Sequence, residues 1–215
     1  AGISTGELDS YAESLIKKHG VLPSFKGYHG YPAIFCINVN EEVVHAIPGK
    51  RILKEGDIVS IDGGVVVDGY HSDSAVTVGV GKISPEANKF IETVQRSLEL
   101  GISQVKPGNH VGDIGYAIQT FIEKNGYSIV RDFVGHGIGR SLHEPPEIPN
   151  FGRLGKGPAL VPGMTICIEP IVVMGERYVD VLKDGWTAVT RDGSLAAQVE
   201  HTILITPGGH EILTT

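Results

Sequence analysis

Two apolar runs, each interrupted by a single carboxylate, stand out in the hydrophobic pattern of the chain. Residues 58–67 read Ile-Val-Ser-Ile-Asp-Gly-Gly-Val-Val-Val, with Asp62 at the centre, and residues 165–173 read Thr-Ile-Cys-Ile-Glu-Pro-Ile-Val-Val, with Glu169 at the centre. Their length and β-branched content predict buried strands. A third strand-like run, Ala197-Gln198-Val199-Glu200-His201-Thr202-Ile203, again holds an acid. Asp73 follows Asp62 by eleven residues, with Val67-Asp68-Gly69 between them reading as a hairpin turn. Elsewhere the apolar spacing is helical. Leu8, Leu15 and Ile16 predict a helix from about Thr5 to Gly20, and Ile114, Phe121 and Ile122 predict one from about Gly112 to Gly126. Phe90, Ile91, Val94, Leu98, Ile102 and Val105 predict a longer helix, from about Pro85 to Val105, stopped by Lys106-Pro107-Gly108.

These elements repeat. Gly56-Asp57-Ile58-Val59-Ser60-Ile61-Asp62 matches Gly163-Met164-Thr165-Ile166-Cys167-Ile168-Glu169 at an offset of 107, and Gly6 through Gly20 matches Gly112 through Gly126 at an offset of 106. Two matched segments at nearly one offset make chance similarity a poor explanation. The pattern predicts an α+β fold of two α/β halves, about 1–105 and 106–215, related by a pseudo-twofold axis. Antiparallel sheet is expected, with helices on one side and a ligand site where the halves meet. No linker divides the chain, so residues 1–215 are expected to form one domain. The long helix leads the second half but has no counterpart before Ala1-Gly2, which matches Pro107-Gly108. A chain trimmed or encoded short at its N-terminus is therefore expected, with some apolar surface of the first half uncovered.

Composition narrows the function. A net charge of −7, with no Lys/Arg run, argues against a nucleic-acid partner. No stretch approaches the roughly 18–20 apolar residues of a membrane span, and no signal peptide opens the chain, so the cytoplasm is the default compartment. Cys36 and Cys167 lie far apart in apolar runs and read as reduced thiols.

The acids carry the chemistry. A bare carboxylate among Val and Ile is costly to desolvate unless a cation compensates it. Asp62, Asp73, Glu169 and Glu200, with His136 in Gly135-His136-Gly137, form a suitable set for two divalent ions sharing bridging carboxylates. Oxygen donors favour Mn, Fe or Co over a structural zinc. Taken singly, each acid is more often a solvated or ion-paired residue; the repeat-matched strands are what raise the metal reading.

Several motifs then carry a family resemblance over nearly the whole chain. They include Gly27-Tyr28-His29-Gly30-Tyr31-Pro32, Asn40-Glu41-Glu42-Val43-Val44-His45-Ala46-Ile47-Pro48 and Gly69-Tyr70-His71-Ser72-Asp73. Gly135-His136-Gly137-Ile138-Gly139, Leu142-His143-Glu144-Pro145-Pro146, Ile168-Glu169-Pro170, Asp184-Gly185-Trp186-Thr187 and Glu200-His201-Thr202 continue the series. The chain resembles the type I methionine aminopeptidases of the pita-bread fold, without their leading N-terminal helix. The resemblance implies a hydrolase that removes the N-terminal methionine from nascent chains and peptides. It implies two divalent ions (Co, Mn, Fe or Zn) on Asp62, Asp73, His136, Glu169 and Glu200, with Asp73 and Glu200 bridging. Glu169, His143 and His45 would be catalytic, with His45 and His143 also touching substrate. Tyr28, Tyr31, Cys36, Phe25, Leu142 and Trp186 would line the methionine pocket. Leu142 stands where relatives often carry an aromatic residue, and Phe25 where some carry cysteine. A cytoplasmic monomer acting on nascent polypeptide N-termini is implied, with the ribosome as a candidate contact. The rivals are a peptidase of the same fold that cuts before proline, and a metal-free binding module.

Overall fold

The computed structural model describes residues 1–214. In chain order the elements are α1 (Thr5–His19), β1 (Leu22–Pro23), β2 (Cys36–Val39), β3 (Glu42–Val44), β4 (Ile58–Val67), β5 (Tyr70–Gly79), α2 (Pro85–Ile102) and α3 (Val111–Lys124). The second half continues with β6 (Ser128–Ile129), β7 (Gly135–Gly137), β8 (Glu144–Ile148), β9 (Thr165–Ile168) and β10 (Ile171–Val173). It closes with β11 (Val179–Val181), β12 (Ala188–Thr190), β13 (Ala196–Gln198), β14 (Glu200–Thr206) and β15 (Gly209–Ile212).

Local chemistry explains the helix ends. Ser4 and Glu7 form a capping box: the Glu7 amide donates to Ser4 Oγ, and the Ser4 amide donates to Glu7 Oε2. Gly20 closes α1 in the left-handed region at φ 68°, which glycine adopts without a Cβ penalty. Ser84 caps α2, with Pro85 in its first turn. This helix stops at Ile102 rather than Val105, although Val105 remains buried.

The main sheet runs β1-β4-β5-β14-β9-β7-β8, with β2 also on β4 and β15 also on β14, and every pairing is antiparallel. Its centre is a palindrome: hairpin β4–β5 faces its counterpart β9–β14 across the β5–β14 ladder. The repeat extends to the register. Leu22↔Val66 and Pro23↔Val65 recur as Ser128↔Val173 and Ile129↔Val172, while Ile61↔Val76 recurs as Ile168↔His201. The turn between β4 and β5 is Asp68-Gly69, both residues at positive φ (52° and 80°), as a two-residue hairpin with right-handed strand twist requires.

The expectation of one strand over 165–173 needs correction. β4 is continuous for ten residues, but its counterpart breaks at Glu169-Pro170 into β9 and β10, and β10 joins a separate sheet with β13 and β6. Pro170 has no N–H to offer a ladder, so pairing stops there. The run at 197–203 breaks in the same way at Val199, between β13 and β14.

The helices cover one face. Phe90 and Val94 of α2 and Ile114 and Ile118 of α3 pack with Ile166, Ile168, Ile203 and Ile205 of β9 and β14 in the largest core cluster. Each fully buried side chain of this size contributes about 1.5–3 kcal/mol relative to exposure. Large apolar side chains are exposed in both halves, among them Leu15, Val76 and Val78 in the first and Val161, Val181 and Leu213 in the second. No helix among the described residues is long and apolar enough to cross a membrane.

His136 is held between two glycines for a steric reason. A Cβ on Gly135 would collide with the carbonyl oxygen of Cys167, and one on Gly137 with that of Pro145. What approaches closely is thus the neighbouring strands' backbone, which clamps β7 from both sides. Gly137→Ala should destabilise the fold by about 1–3 kcal/mol through overpacking; a urea midpoint equal to that of the wild type would show that β7 has slack.

Candidate metal centre

The five predicted ligand residues converge on the sheet face opposite the helices. Ala75 of β5 is the register partner of both Asp62 on β4 and Glu200 on β14. Asp73 lies two residues before Ala75 and therefore on the same face. Asp62, Asp73 and Glu200 offer oxygens that all lie within 4.8 Å of one another. From the other side, the pairing of Ile168 with His201 places Glu169, one step on, beside Glu200. His136 Nε2 lies 3.7 Å from Glu169 Oε1 and 4.0 Å from Asp73 Oδ2.

The protonation of His136 follows from its partner. Its Nδ1 lies 2.9 Å from the carbonyl oxygen of Gly137. A carbonyl oxygen only accepts, so Nδ1 carries the proton and Nε2 turns a bare lone pair towards the carboxylates. Burial, reinforced by His143, lowers the His136 pKa to about 4, which keeps the ring neutral. A lone pair facing two carboxylates makes sense only with a cation between them.

The acids are equally incomplete. Asp62, Asp73, Glu169 and Glu200 are all buried, and burial is the leading cause that raises each pKa, to about 7 for Asp62 and well above the usual range for the other three. Neighbouring carboxylates add to the rise at Asp73, Glu169 and Glu200. One oxygen of each of Asp62, Asp73 and Glu200 is buried without a hydrogen-bond partner. No lysine or arginine among the described residues lines the cavity that holds them. Orphaned anionic oxygens, a neutral imidazole lone pair and no lysine or arginine among the described lining residues fit divalent cations.

Gln198 was missed by the sequence reading. Its buried Nε2 lies 3.3 Å from Asp62 Oδ2 and 3.4 Å from Glu169 Oε2, so one amide spans the two repeat-matched acids. The repeat contained the signal. Gly64↔Asp73 recurs as Ile171↔Gln198, so Gln198 occupies the position of Asp73 in the second half, while Glu200 occupies that of Ala75. Thr202 was also overlooked: its hydroxyl accepts from the Asp73 amide at 2.9 Å and donates to the Asp73 carbonyl at 2.8 Å, tying β5 to β14.

The six predicted pocket residues fall together. Phe25, Tyr31, Cys36 and Leu142 are buried in one cluster, with Tyr28 and Trp186 packed against it and the Tyr31 and Trp186 rings 5.1 Å apart edge to face. They line the same cavity as the acids, of about 670 Å³. Cys167, also in this cluster, has its sulfur within 4.8 Å of ligand atoms of His136 and Glu200; burial, then Glu200 and Asp73, push its thiol pKa up. Both cysteines are free. His143 and His45 stand at the cavity wall. The His143 ring meets His136 edge to face at 4.2 Å, and its Nδ1 lies 2.7 Å from the Tyr28 hydroxyl. His45 takes a left-handed backbone (φ 61°) and packs on Phe133, an unpredicted wall residue; burial lowers its pKa to about 4. His201 points away, bonding Thr214, as strand alternation predicts.

Acidic groups and an imidazole at the seam of a twofold-repeated antiparallel sheet, beside an apolar pocket, define a metal-dependent hydrolase of the pita-bread fold. The chain belongs to metallopeptidase family M24, whose sequence profile matches residues 1–207. It is 56% identical over 213 residues to the methionine aminopeptidase of Clostridium perfringens and 54% identical over 213 residues to methionine aminopeptidase 1 of Bacillus subtilis, in each case covering 99% of this chain and 86% of the relative. The crystal structure of methionine aminopeptidase from Thermotoga maritima superposes with a TM-score of 0.98 at 47% identity, covering 100% of this chain and 86% of that one.

Replacing Gln198 by Leu should weaken affinity for added Mn(II) about 10- to 100-fold, the usual cost of losing a group that orients ligands, as read by calorimetry. Unchanged affinity would make the amide a bystander. The buried charges also set a pH dependence. The carboxylates have raised folded pKa values, so they lower stability as pH rises through those values; His45 and His136, with lowered values, oppose this only between about 4 and 6.5. From about pH 6.5 to 8 the carboxylates act alone, and the melting temperature of the metal-free protein should fall as pH rises. A divalent cation should remove most of that slope, and a flat profile in the metal-free protein would count against these shifts.

Proposed function

We propose that this protein removes the N-terminal methionine from peptides and nascent polypeptides, using two divalent ions. The observation that carries this reading is the convergence of five ligand groups beside an apolar and aromatic pocket in one cavity. The similarity to proteins named methionine aminopeptidase supports the same reading. Glu200 belongs to both clusters of close-lying ligand atoms, and Asp73 lies near both His136 and the Asp62 side, which supports bridging roles for these two. Asp62 would complete one position, and His136 with Glu169 the other. Oxygen-dominated ligation favours Mn, Fe or Co, with Zn retained as a candidate. Since both halves contribute ligands, residues 1–215 act as one catalytic domain, read here as a cytoplasmic monomer.

Bound ions would neutralise the carboxylates and supply an acidified water for attack on the first peptide carbonyl. Glu169 would take a proton from the attacking water and later deliver it to the leaving amine. His143 donates a hydrogen bond to the carbonyl oxygen as negative charge develops on it. His45, neutral at pH 7, reaches towards the scissile nitrogen. Phe25, Tyr28, Tyr31, Cys36, Leu142 and Trp186 hold the methionine side chain, whose polarisable thioether suits aromatic and sulfur neighbours.

A two-substrate assay tests this function. Methionine should be released from Met-Ala-Ser, with little cleavage of an Ala-Pro peptide; preference for the second peptide would overturn the assignment. Glu200→Gln should lose at least one bound ion per chain by elemental analysis and reduce turnover about a hundredfold or more, because a neutral amide bridges cations poorly. Retention of two ions and full turnover would remove Glu200 from the centre.

A further inference from the structure

Tyr28 is placed more strictly than pocket lining requires. Its hydroxyl lies 2.7 Å from His143 Nδ1, and its ring meets the His143 ring edge to face at 5.1 Å. The segment that presents it is an unusual turn. Gly27 and Gly30 both sit at φ 90°, and His29 between them takes φ 48°, a region that a residue with a Cβ seldom occupies. Four backbone hydrogen bonds hold the turn, among them the Tyr28 amide to the Phe25 carbonyl and the Tyr31 amide to the Tyr28 carbonyl, each 2.9 Å. Tyr31 anchors its far end, with its hydroxyl donating to the Ala46 carbonyl at 2.9 Å and its ring against Trp186. Strained backbone maintained by such a network marks a side chain whose position matters.

A neutral imidazole has one N–H and one bare nitrogen, and the partner of one nitrogen fixes the state of the other. If His143 donated from Nδ1 to the phenol oxygen, Nε2 would be an acceptor and would repel a developing oxyanion. If Tyr28 donates, Nε2 carries the hydrogen and becomes a donor. Among the described residues no side chain or backbone group bonds Nε2, so it is free to face the cavity. We propose that Tyr28 is a positioning residue for His143: its O–H donates to Nδ1, places the imidazole proton on Nε2, and aims that N–H at the carbonyl oxygen of the bond being cut.

This rests on the reaction proposed above, and the tests separate the two. Tautomer state is read directly by long-range nitrogen–carbon NMR of the histidine rings, with zinc added as a diamagnetic ion. Wild-type His143 should show an unprotonated Nδ1 and a protonated Nε2; a protonated Nδ1 would overturn the proposal whatever the enzyme cleaves. Kinetics supply the second measurement. Tyr28→Phe keeps the ring and should lower kcat about 5- to 20-fold on Met-Ala-Ser, with KM within about twofold and metal content unchanged. In a His143→Ala background the same substitution should have no further effect, because the hydroxyl acts only through that ring. A full additional loss there, or a change confined to KM, would assign Tyr28 to the pocket alone. Absence of methionine release by the wild type would refute the reaction, while the NMR result would still decide the hydrogen bond.

Discussion

Anionic oxygens inside an apolar sheet demand positive charge, and much of the local architecture answers to that demand. Four carboxylates, three on β4, β5 and β14 and one just past β9, converge where no lysine or arginine among the described residues reaches. Leaving such groups uncompensated costs several kcal/mol each, enough to threaten a domain whose net stability is of order 5–15 kcal/mol. The surrounding residues cannot compensate them: Gln198 bonds two of the carboxylates and Thr202 fixes the Asp73 backbone, but neither carries charge. The neutral His136 adds a metal-ligating lone pair without adding net charge.

The twofold repeat explains how the site is assembled without being symmetric. Asp62 and Glu169 are true equivalents at offset 107, but Asp73 and Glu200 are not, since they stand where the other half has Gln198 and Ala75. A strictly symmetric pair of hairpins would put matched donors on either side of the axis. Here the extra acids lie on the two central strands, next to the axis, where both can be reached from either side. The break at Pro170 adds a second asymmetry, since only the second half turns its strand into another sheet just beyond its ligand.

Much of this was legible in the chain. The acids in apolar runs, the matched offsets and the helix-capping residues pointed to the helices, to the unbroken strand around Asp62 and to the convergence of Asp62 and Glu169, because they express local burial and local hydrogen bonding. Gln198 escaped because a neutral amide in an apolar run carries no charge anomaly; only the strand register reveals that it repeats Asp73. Phe133 and the Tyr28–His143 contact escaped for a different reason. They join residues 88 and 115 positions apart in sequence, and no local rule encodes the partner of a side chain across such distances. The split at Glu169-Pro170 could have been read from proline alone, had its missing donor been weighed against the apolar run.

The central ladder between the halves is narrow, with only two residue pairs in register, Glu200↔Ala75 and His201↔Ser74. Ions gripped by Asp62 and Asp73 on one side and by Glu169 and Glu200 on the other would span that seam like rivets. Cation occupancy would then add a mechanical tie between the halves, beside the paired Thr202–Asp73 hydrogen bonds that already stitch β5 to β14.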